Sequence, residues 1–365
     1  MIKIALLIDT WFPLVGGGQI NAYEISRRLV ARDIKIDIIT RNNGNYKLKL
    51  PRGLRVIKLG RYANSYNSFS KVLFIVRSFL FVLKGDYDLV HAHAFLPGLA
   101  AKSIKLAKHI PAVFTVHGFS VNTDLNNYFI KQLEKFILTN LTYDTQITVS
   151  RDFLKIKNNN KNVVYIENGV DISSFDKIKT QKFKNPTVIF VGRLHPQKNL
   201  STLLKAMAKV HKHNPKVKLL IVGKGSQKLL LQRLISKLNL DKTVKLIGEL
   251  PKLELIKLYK SCHLFILPSI YEGQPLSLLE AWAAKIPCVS TTSGDCQFLI
   301  RPGNNGYLIE NIKDDNEIAR KIISALENKK LNDLGLNGYS LVKNFFTWRG
   351  AAAKTLQTYK DLIDD

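Results

Sequence analysis

Glu272 and Glu280 stand eight residues apart in the stretch Tyr271-Glu272-Gly273-Gln274-Pro275-Leu276-Ser277-Leu278-Leu279-Glu280. Pro275 suits the first position of a helix, where its fixed φ fits and its missing N–H is no loss. The N–H groups of Leu276, Ser277 and Leu278 would then face an anion at the positive end of that helix. Glu272 falls in the loop before this terminus, and Glu280 lies inside the helix, roughly 7–8 Å further on at ~1.5 Å per residue. Carboxylates accept strong hydrogen bonds from vicinal hydroxyls, while the amides between them suit a phosphate. The chemistry expected is recognition of a sugar–diphosphate–ribose ligand. Two Glu at this spacing are, in isolation, usually only solvated helix charges. Here an apolar stretch, His263–Leu267, runs into the loop and another, Ile286–Thr291, follows the helix. That strand–loop–helix–strand order puts Glu272 at the carboxyl end of a strand, where open α/β sheets bind ligands.

Further groups fall at comparable places. Val191-Gly192-Arg193-Leu194-His195-Pro196-Gln197-Lys198-Asn199 ends a strand and opens a helix. Arg193 could neutralise a diphosphate by its fork and Lys198 as a point charge. Gly223-Lys224-Gly225 ends another strand and marks a close backbone approach, but no Walker spacing follows. Gly16-Gly17-Gly18 after the first strand does not fit G-x-G-x-x-G in either register, which argues against a dinucleotide. His117, in Thr115-Val116-His117-Gly118-Phe119, sits at a strand's carboxyl end and reads as functional. His91 and His93 share one face of an apolar strand with no Cys or carboxylate to complete a metal set, which suggests a structural or acceptor-side role. Asp86-Tyr87-Asp88 resembles a metal-binding Asp-x-Asp, but it precedes its strand and reads as a turn.

The elements that must position these groups alternate. Strands are expected at 2–8, 35–40, 54–59, 88–93, 112–116, 145–149 and 163–166, then at 187–192, 217–222, 244–247, 263–267, 286–290 and 307–309, with helices between. Such alternation implies an α/β chain with parallel, doubly wound sheets. At 365 residues the chain suits two domains, 1–168 and 169–348, linked near Glu167–Asp171. Two Rossmann-like halves facing each other would form a cleft. The net charge of +27 is spread evenly, +13 over residues 1–168 and +14 over the remainder. That spread, without zinc pairs or RNA-binding aromatics, argues against a specific nucleic-acid partner and favours acidic substrates or an anionic membrane. Residues 72–83 are apolar almost all round but too short to span a bilayer; they read as a buried helix, with the surplus of Phe74, Ile75, Phe81 and Val82 leaving interfacial docking open. Cys262, Cys288 and Cys296 fall in or beside expected buried strands, which points to a reducing, cytoplasmic compartment, and the apolar start reads as a strand rather than a signal peptide.

In this order, the glycine loop at 16–18, Asp88–His93, Thr115–Gly118, Asn168–Asp171, Gly192-Arg193 through Lys198-Asn199, Gly223–Gly225 and Glu272 to Glu280 resemble the retaining glycosyltransferases of family four. That family includes glycogen-synthase-like enzymes and phosphatidylinositol mannosyltransferases. The resemblance implies a GT-B fold, with the donor site in the C-terminal domain, the acceptor site in the N-terminal one, and a last helix at about 349–365 crossing back onto the latter. It implies that Glu272 holds donor-sugar hydroxyls, Glu280 the ribose, and Arg193 and Lys198 the diphosphate. Gly273, Gln274, Leu276, Ser277 and Gly223 would line the donor. His117 would face the sugar near the reacting carbon, and Gly16 and Gly17 would let their loop approach phosphate and acceptor.

The reaction so implied moves a hexosyl unit from a nucleotide-diphosphate sugar to a glycan or lipid-linked acceptor in cell-envelope polysaccharide or glycolipid synthesis. No metal or other cofactor is expected. Departures from the family pattern are Gln274 in place of an aromatic or aliphatic residue, Trp282 in place of Met, and Ser293–Gln297 in place of a Gly-Gly…Glu stretch. A sugar-nucleotide epimerase of the same fold, or a non-catalytic protein binding glycans or anionic surfaces, is the alternative. No obvious set of acid/base carboxylates supports the epimerase, and Lys198 and Glu272 are both retained.

Overall fold

The computed structural model describes residues 2–14, 16–44, 48–62, 67–118 and 128–364. Met1, Phe119 and Asp365, at the margins of the expected first strand, the His117 segment and the last helix, lie outside them. The chain divides into two units, one of residues 1–169 with 348–365, the other of residues 170–347.

The first unit holds seven strands: β1 (Lys3–Ile8), β2 (Lys35–Arg41), β3 (Leu54–Leu59), β4 (Leu89–His93), β5 (Ala112–Val116), β6 (Thr145–Thr148) and β7 (Val163–Tyr165). All pair in parallel, in the order β3-β2-β1-β4-β5-β6-β7. Its helices are α1 (Gly17–Leu29), α2 (Ser68–Lys84), α3 (Phe95–Lys108), α4 (Tyr128–Thr139) and α5 (Arg151–Leu154). The second unit opens with α6 (Ile172–Asp176) and continues β8 (Thr187–Val191), α7 (Leu200–His213), β9 (Lys218–Val222), α8 (Lys228–Lys237), β10 (Val244–Gly248) and α9 (Lys252–Ser261). It finishes with β11 (Leu264–Leu267), α10 (Leu276–Ala283), β12 (Cys288–Thr291), α11 (Cys296–Leu299), β13 (Gly306–Ile309), α12 (Asp315–Glu327) and α13 (Leu331–Phe345). The last helix, α14 (Trp348–Ile363), packs against α1 in the first unit.

The second sheet runs β10-β9-β8-β11-β12-β13, so each unit steps outward from its first strand and then reverses past it. The reversal leaves a crevice at the carboxyl ends of β1 and β4 in one unit and of β8 and β11 in the other. The central strands are covered on both faces, which is why they read as continuous Val/Ile/Leu runs.

Two expectations need correction. Pro275 caps α10 from outside, with ψ at 119°, and the helix begins one residue later at Leu276. On α2, Phe74 and Val82 are core residues, while Phe69, Val72, Val76 and Leu80 form the exposed apolar side. The turn reading of Asp86–Asp88 agrees with its place: Asp88 accepts from the Lys3 N–H at 2.7 Å, at the amino end of β1.

Trp282 is wholly buried between α10 and α13, and its indole N–H donates to the Asn305 carbonyl at 3.1 Å. It fits because Gly338 of α13 lies flat against the ring, where any Cβ would collide with the indole. Gly to Ala inside a helix ordinarily stabilises by up to about 1 kcal/mol. Overpacking against a buried ring reverses the sign, so Gly338→Ala should cost about 1–3 kcal/mol. A lowered urea midpoint by tryptophan fluorescence is the expected result, and a raised midpoint would refute the packing argument.

Candidate active site

In the second unit, β8 runs out at Val191 and a single 3-10 turn at Pro196–Lys198 reverses the chain. The His195 ring accepts from the Gln197 N–H, and Asn199 closes the turn in the left-handed region at φ 53°. The turn delivers the Lys198 ammonium onto the Glu272 carboxylate as a close ion pair, with side chains only 12% and 8% exposed. Two more bonds join the same loops: Ile270 N–H to the Gln197 carbonyl at 2.8 Å, and the Gln197 side-chain amide to the Tyr271 carbonyl at 2.9 Å. Arg193 lies exposed beside this pair in sequence, with no ion pair among the described residues.

The Glu272 loop is also clasped from the far side. Asp295 donates its N–H to the Gly273 carbonyl at 2.8 Å, and Gln274 donates its amide to the buried Asp295 carboxylate at 2.9 Å. Gly294, at φ +55°, presses on the carbonyls of Glu272 and Gly273, where no side chain has room. The two departures at Gln274 and Asp295 are therefore partners. Gly223, at φ +132°, sits against the Gly192 carbonyl, and Gly225 against the Leu194 backbone. Both glycines are thus accounted for by close approach to the loop that carries Lys198.

At the start of α10 the Leu278 N–H is taken by the Pro275 carbonyl at 3.2 Å. The Leu276 and Ser277 N–H groups have no partner among the described residues and remain as donors to an anion. One turn on, Glu280 accepts from the Tyr259 hydroxyl at 3.1 Å. Burial pushes the Glu280 carboxyl up to about 7, against the opposing effects of the Tyr259 bond and the Lys252 charge. Tyr259 and Gly294 were invisible as site residues in the sequence. The signals that could have found them are an aromatic hydroxyl on an apolar helix face and a Ser-Gly-Asp turn after a strand.

In the first unit, Gly16 caps α1 and Gly17 opens it, with clear space where a Gly17 side chain would stand. Gly18 is the constrained member: a Cβ there would come within 3.2 Å of the His117 ring. His117, just past β5, is bonded through Nε2 to Nδ1 of His93 at 2.8 Å. The His93 ring stacks on His117 and leans at 42° against His91, whose two nitrogens meet Thr115 Oγ1 at 2.7 Å and the Tyr359 hydroxyl of α14 at 2.6 Å. Burial lowers His117 to about 4 and His91 to about 3, and with the neighbouring imidazoles holds His93 well below the usual histidine range. The three rings are neutral at physiological pH. The structure thus brings Lys198, Glu272, Gln274 and the α10 terminus together in one unit, and His117 with the glycine loop in the other.

Two family models and several known proteins match this chain along most of its length. The family described as "Glycosyl transferases group 1" matches residues 171–340, and "Glycosyltransferase Family 4" matches residues 15–174. The chain is 23% identical to the alpha-monoglucosyldiacylglycerol synthase of Acholeplasma laidlawii, over 100% of this chain and 98% of that one. It is 24% identical to the Escherichia coli UDP-Gal:alpha-D-GlcNAc-diphosphoundecaprenol alpha-1,3-galactosyltransferase, over 99% of this chain and 98% of that one. Among solved structures, sucrose-phosphate synthase from Thermosynechococcus elongatus superimposes with a TM-score of 0.88 at 23% identity, covering the whole of both chains. The fold is GT-B, and the chain belongs to the group 1 glycosyltransferases.

Proposed function

We propose that the protein is a retaining, metal-independent glycosyltransferase that moves a hexosyl unit from a nucleotide-diphosphate sugar to a glycan or lipid-linked acceptor. Cell-envelope polysaccharide or glycolipid synthesis is the setting proposed. The observation that carries this reading is the Lys198–Glu272 pair set between two stitched loops. Lys198, Arg193 and the open amides of Leu276 and Ser277 supply positive potential for a diphosphate. Glu272 accepts from sugar hydroxyls and Glu280 from the ribose. The anomeric C–O bond to phosphate breaks with its electron pair passing to the departing nucleoside diphosphate. The acceptor oxygen bonds to the same face of the carbon, and its proton passes to the leaving phosphate oxygen. The activity for which the Escherichia coli relative is named, transfer from a UDP-sugar to a lipid diphosphate, supports this donor and acceptor chemistry.

One further surface supports an acceptor at a membrane. Helices α2, α3 and α4 stack side by side on one face of the first sheet. Their exposed residues include Phe69, Val72, Val76, Leu80, Phe129 and Phe136. Their charges are lysines and arginines apart from Glu134, which is buried. An apolar surface ringed by cations suits the boundary of an anionic bilayer. No helix among the described residues is long and apolar enough to cross a membrane.

Slow hydrolysis of a panel of UDP-, GDP- and ADP-sugars tests the central reading. One donor should be consumed, with activity surviving EDTA, and Lys198→Ala should lower turnover by about 10²–10³. Full turnover in that variant with an unchanged donor KM would overturn the assignment. A pH series gives a second measurement. Glu280 is neutral below about 7 and anionic above it, so donor KM should fall as pH rises through 7. The change should be about tenfold per unit on the acid side, and it should vanish in Glu280→Gln. For the membrane surface, the protein should sediment with phosphatidylglycerol vesicles and be released by high salt. Val76→Asp should abolish sedimentation while leaving donor hydrolysis intact; equal binding to phosphatidylcholine vesicles would refute the electrostatic part.

A further inference from the structure

We infer that His93 is the positioning residue of His117, donating its Nδ1–H to His117 Nε2 and so holding the second imidazole as the Nδ1–H tautomer that offers a proton donor to the substrate. The inference deepens the glycosyl-transfer reading and rests on it for the identity of that substrate. The tautomer itself follows from the free chain alone.

The 2.8 Å contact between His93 Nδ1 and His117 Nε2 needs one proton between two nitrogens, and both rings are neutral. If His117 supplied that proton, the proton of His93 would have to sit on its own Nε2. That atom is buried and has no hydrogen-bond partner. An orphaned N–H inside a protein costs the full desolvation of a donor, and native structures avoid it more strictly than a vacant acceptor. The proton therefore belongs to His93 Nδ1, and the vacant Nε2 is a lone pair. His117, accepting at Nε2, must carry its own proton on Nδ1. That nitrogen has no partner among the described residues and is absent from the buried, unsatisfied groups.

Two more contacts fix the arrangement. Gly18 lies on the Nε2/Cδ2 edge of His117, where a Cβ would crowd the ring at 3.2 Å and push it off His93. His91 packs against His93 at a 42° tilt with centroids 4.4 Å apart, and is itself pinned by Thr115 and Tyr359. A neutral imidazole with a fixed N–H can donate to a sugar oxygen without carrying a charge into the site. A wrong tautomer would instead present a lone pair to that oxygen.

Long-range ¹H–¹⁵N spectra of the ¹⁵N-histidine-labelled chain, without donor, test the tautomer directly. The expected spectrum has His117 protonated at Nδ1 and bare at Nε2. A proton on His117 Nε2 overturns the inference. In the sugar-nucleotide hydrolysis assay, His93→Phe, which keeps bulk and removes the donor, should lower turnover about 10- to 100-fold with donor KM unchanged. His93→Asn, whose side-chain N–H falls at the place of Nδ1, should restore most of it and keep the His117 tautomer. Equal loss in both variants would mark a purely structural role and overturn the inference. Should His93→Phe fail to fold, the wild-type spectrum and the His93→Asn turnover still decide. A chain that hydrolyses no sugar nucleotide, yet shows the expected spectrum, refutes glycosyl transfer and leaves the His93–His117 assignment standing.

Discussion

The ion pair between Lys198 and Glu272 is the contact around which the second unit's candidate site is built. It joins the loops that leave β8 and β11, the two strands flanking the point where the sheet order reverses. A charge withdrawn from water is tolerable only beside its opposite and with its remaining bonds satisfied. Much of the local sequence serves that condition. The turn at Pro196–Lys198 aims the ammonium, Gly223 and Gly225 let the next loop close behind it, and Gly294 lets the Asp295 clasp reach over Glu272. The pair also balances its own charge. On the reading proposed above, a diphosphate would bring Lys198 a second anion and sugar hydroxyls would bring Glu272 new donors, so neither charge need be stripped bare as ligand replaces partner.

The two units treat their titratable groups alike. Burial drives each toward its neutral form: the imidazoles of the first unit downward and the Glu280 carboxyl of the second upward. The consequences differ. A neutral His117 is in the state the proposed role needs at physiological pH. A raised Glu280 means that the folded chain keeps a proton the unfolded chain would release, so that side chain's contribution to stability is present at low pH and falls away as pH rises through about 7. On the proposed reading, ribose hydroxyls would return to the carboxylate the solvation that burial withdrew.

The strands were legible because parallel sheets covered on both faces leave unbroken apolar runs, and Lys198, Glu272 and His117 fall in the loops that follow β8, β11 and β5, as their sequence positions led one to expect. What the sequence hid was complementarity between distant positions. Trp282 departs from the family pattern, and only the bare backbone of Gly338 on another helix explains why it fits. Gln274 and Asp295 were two separate oddities until the fold made them one hydrogen bond. Tyr259 belongs to a helix whose pattern speaks only of packing, yet its hydroxyl reaches Glu280. The α10 start slipped by one residue because proline is at home both as cap and as first helical residue, and α2 misled because its apolar residues exceed what one buried stripe can use.

Helix α14 returns to the first unit after the whole second unit has intervened. Its Tyr359 completes the bonding of His91, and its Lys354 meets Glu167 at 2.7 Å. The second unit is thus an insertion within the first, and its two ends are tied where the Val170 N–H meets the Phe346 carbonyl at 2.9 Å. For a chain emerging from the ribosome, this imposes an order. Residues 170–347 can close on themselves as soon as they appear, whereas the older N-terminal unit is complete only when α14 arrives to give His91 its second partner and to cover one face of α1. The part of the protein made first is the part finished last.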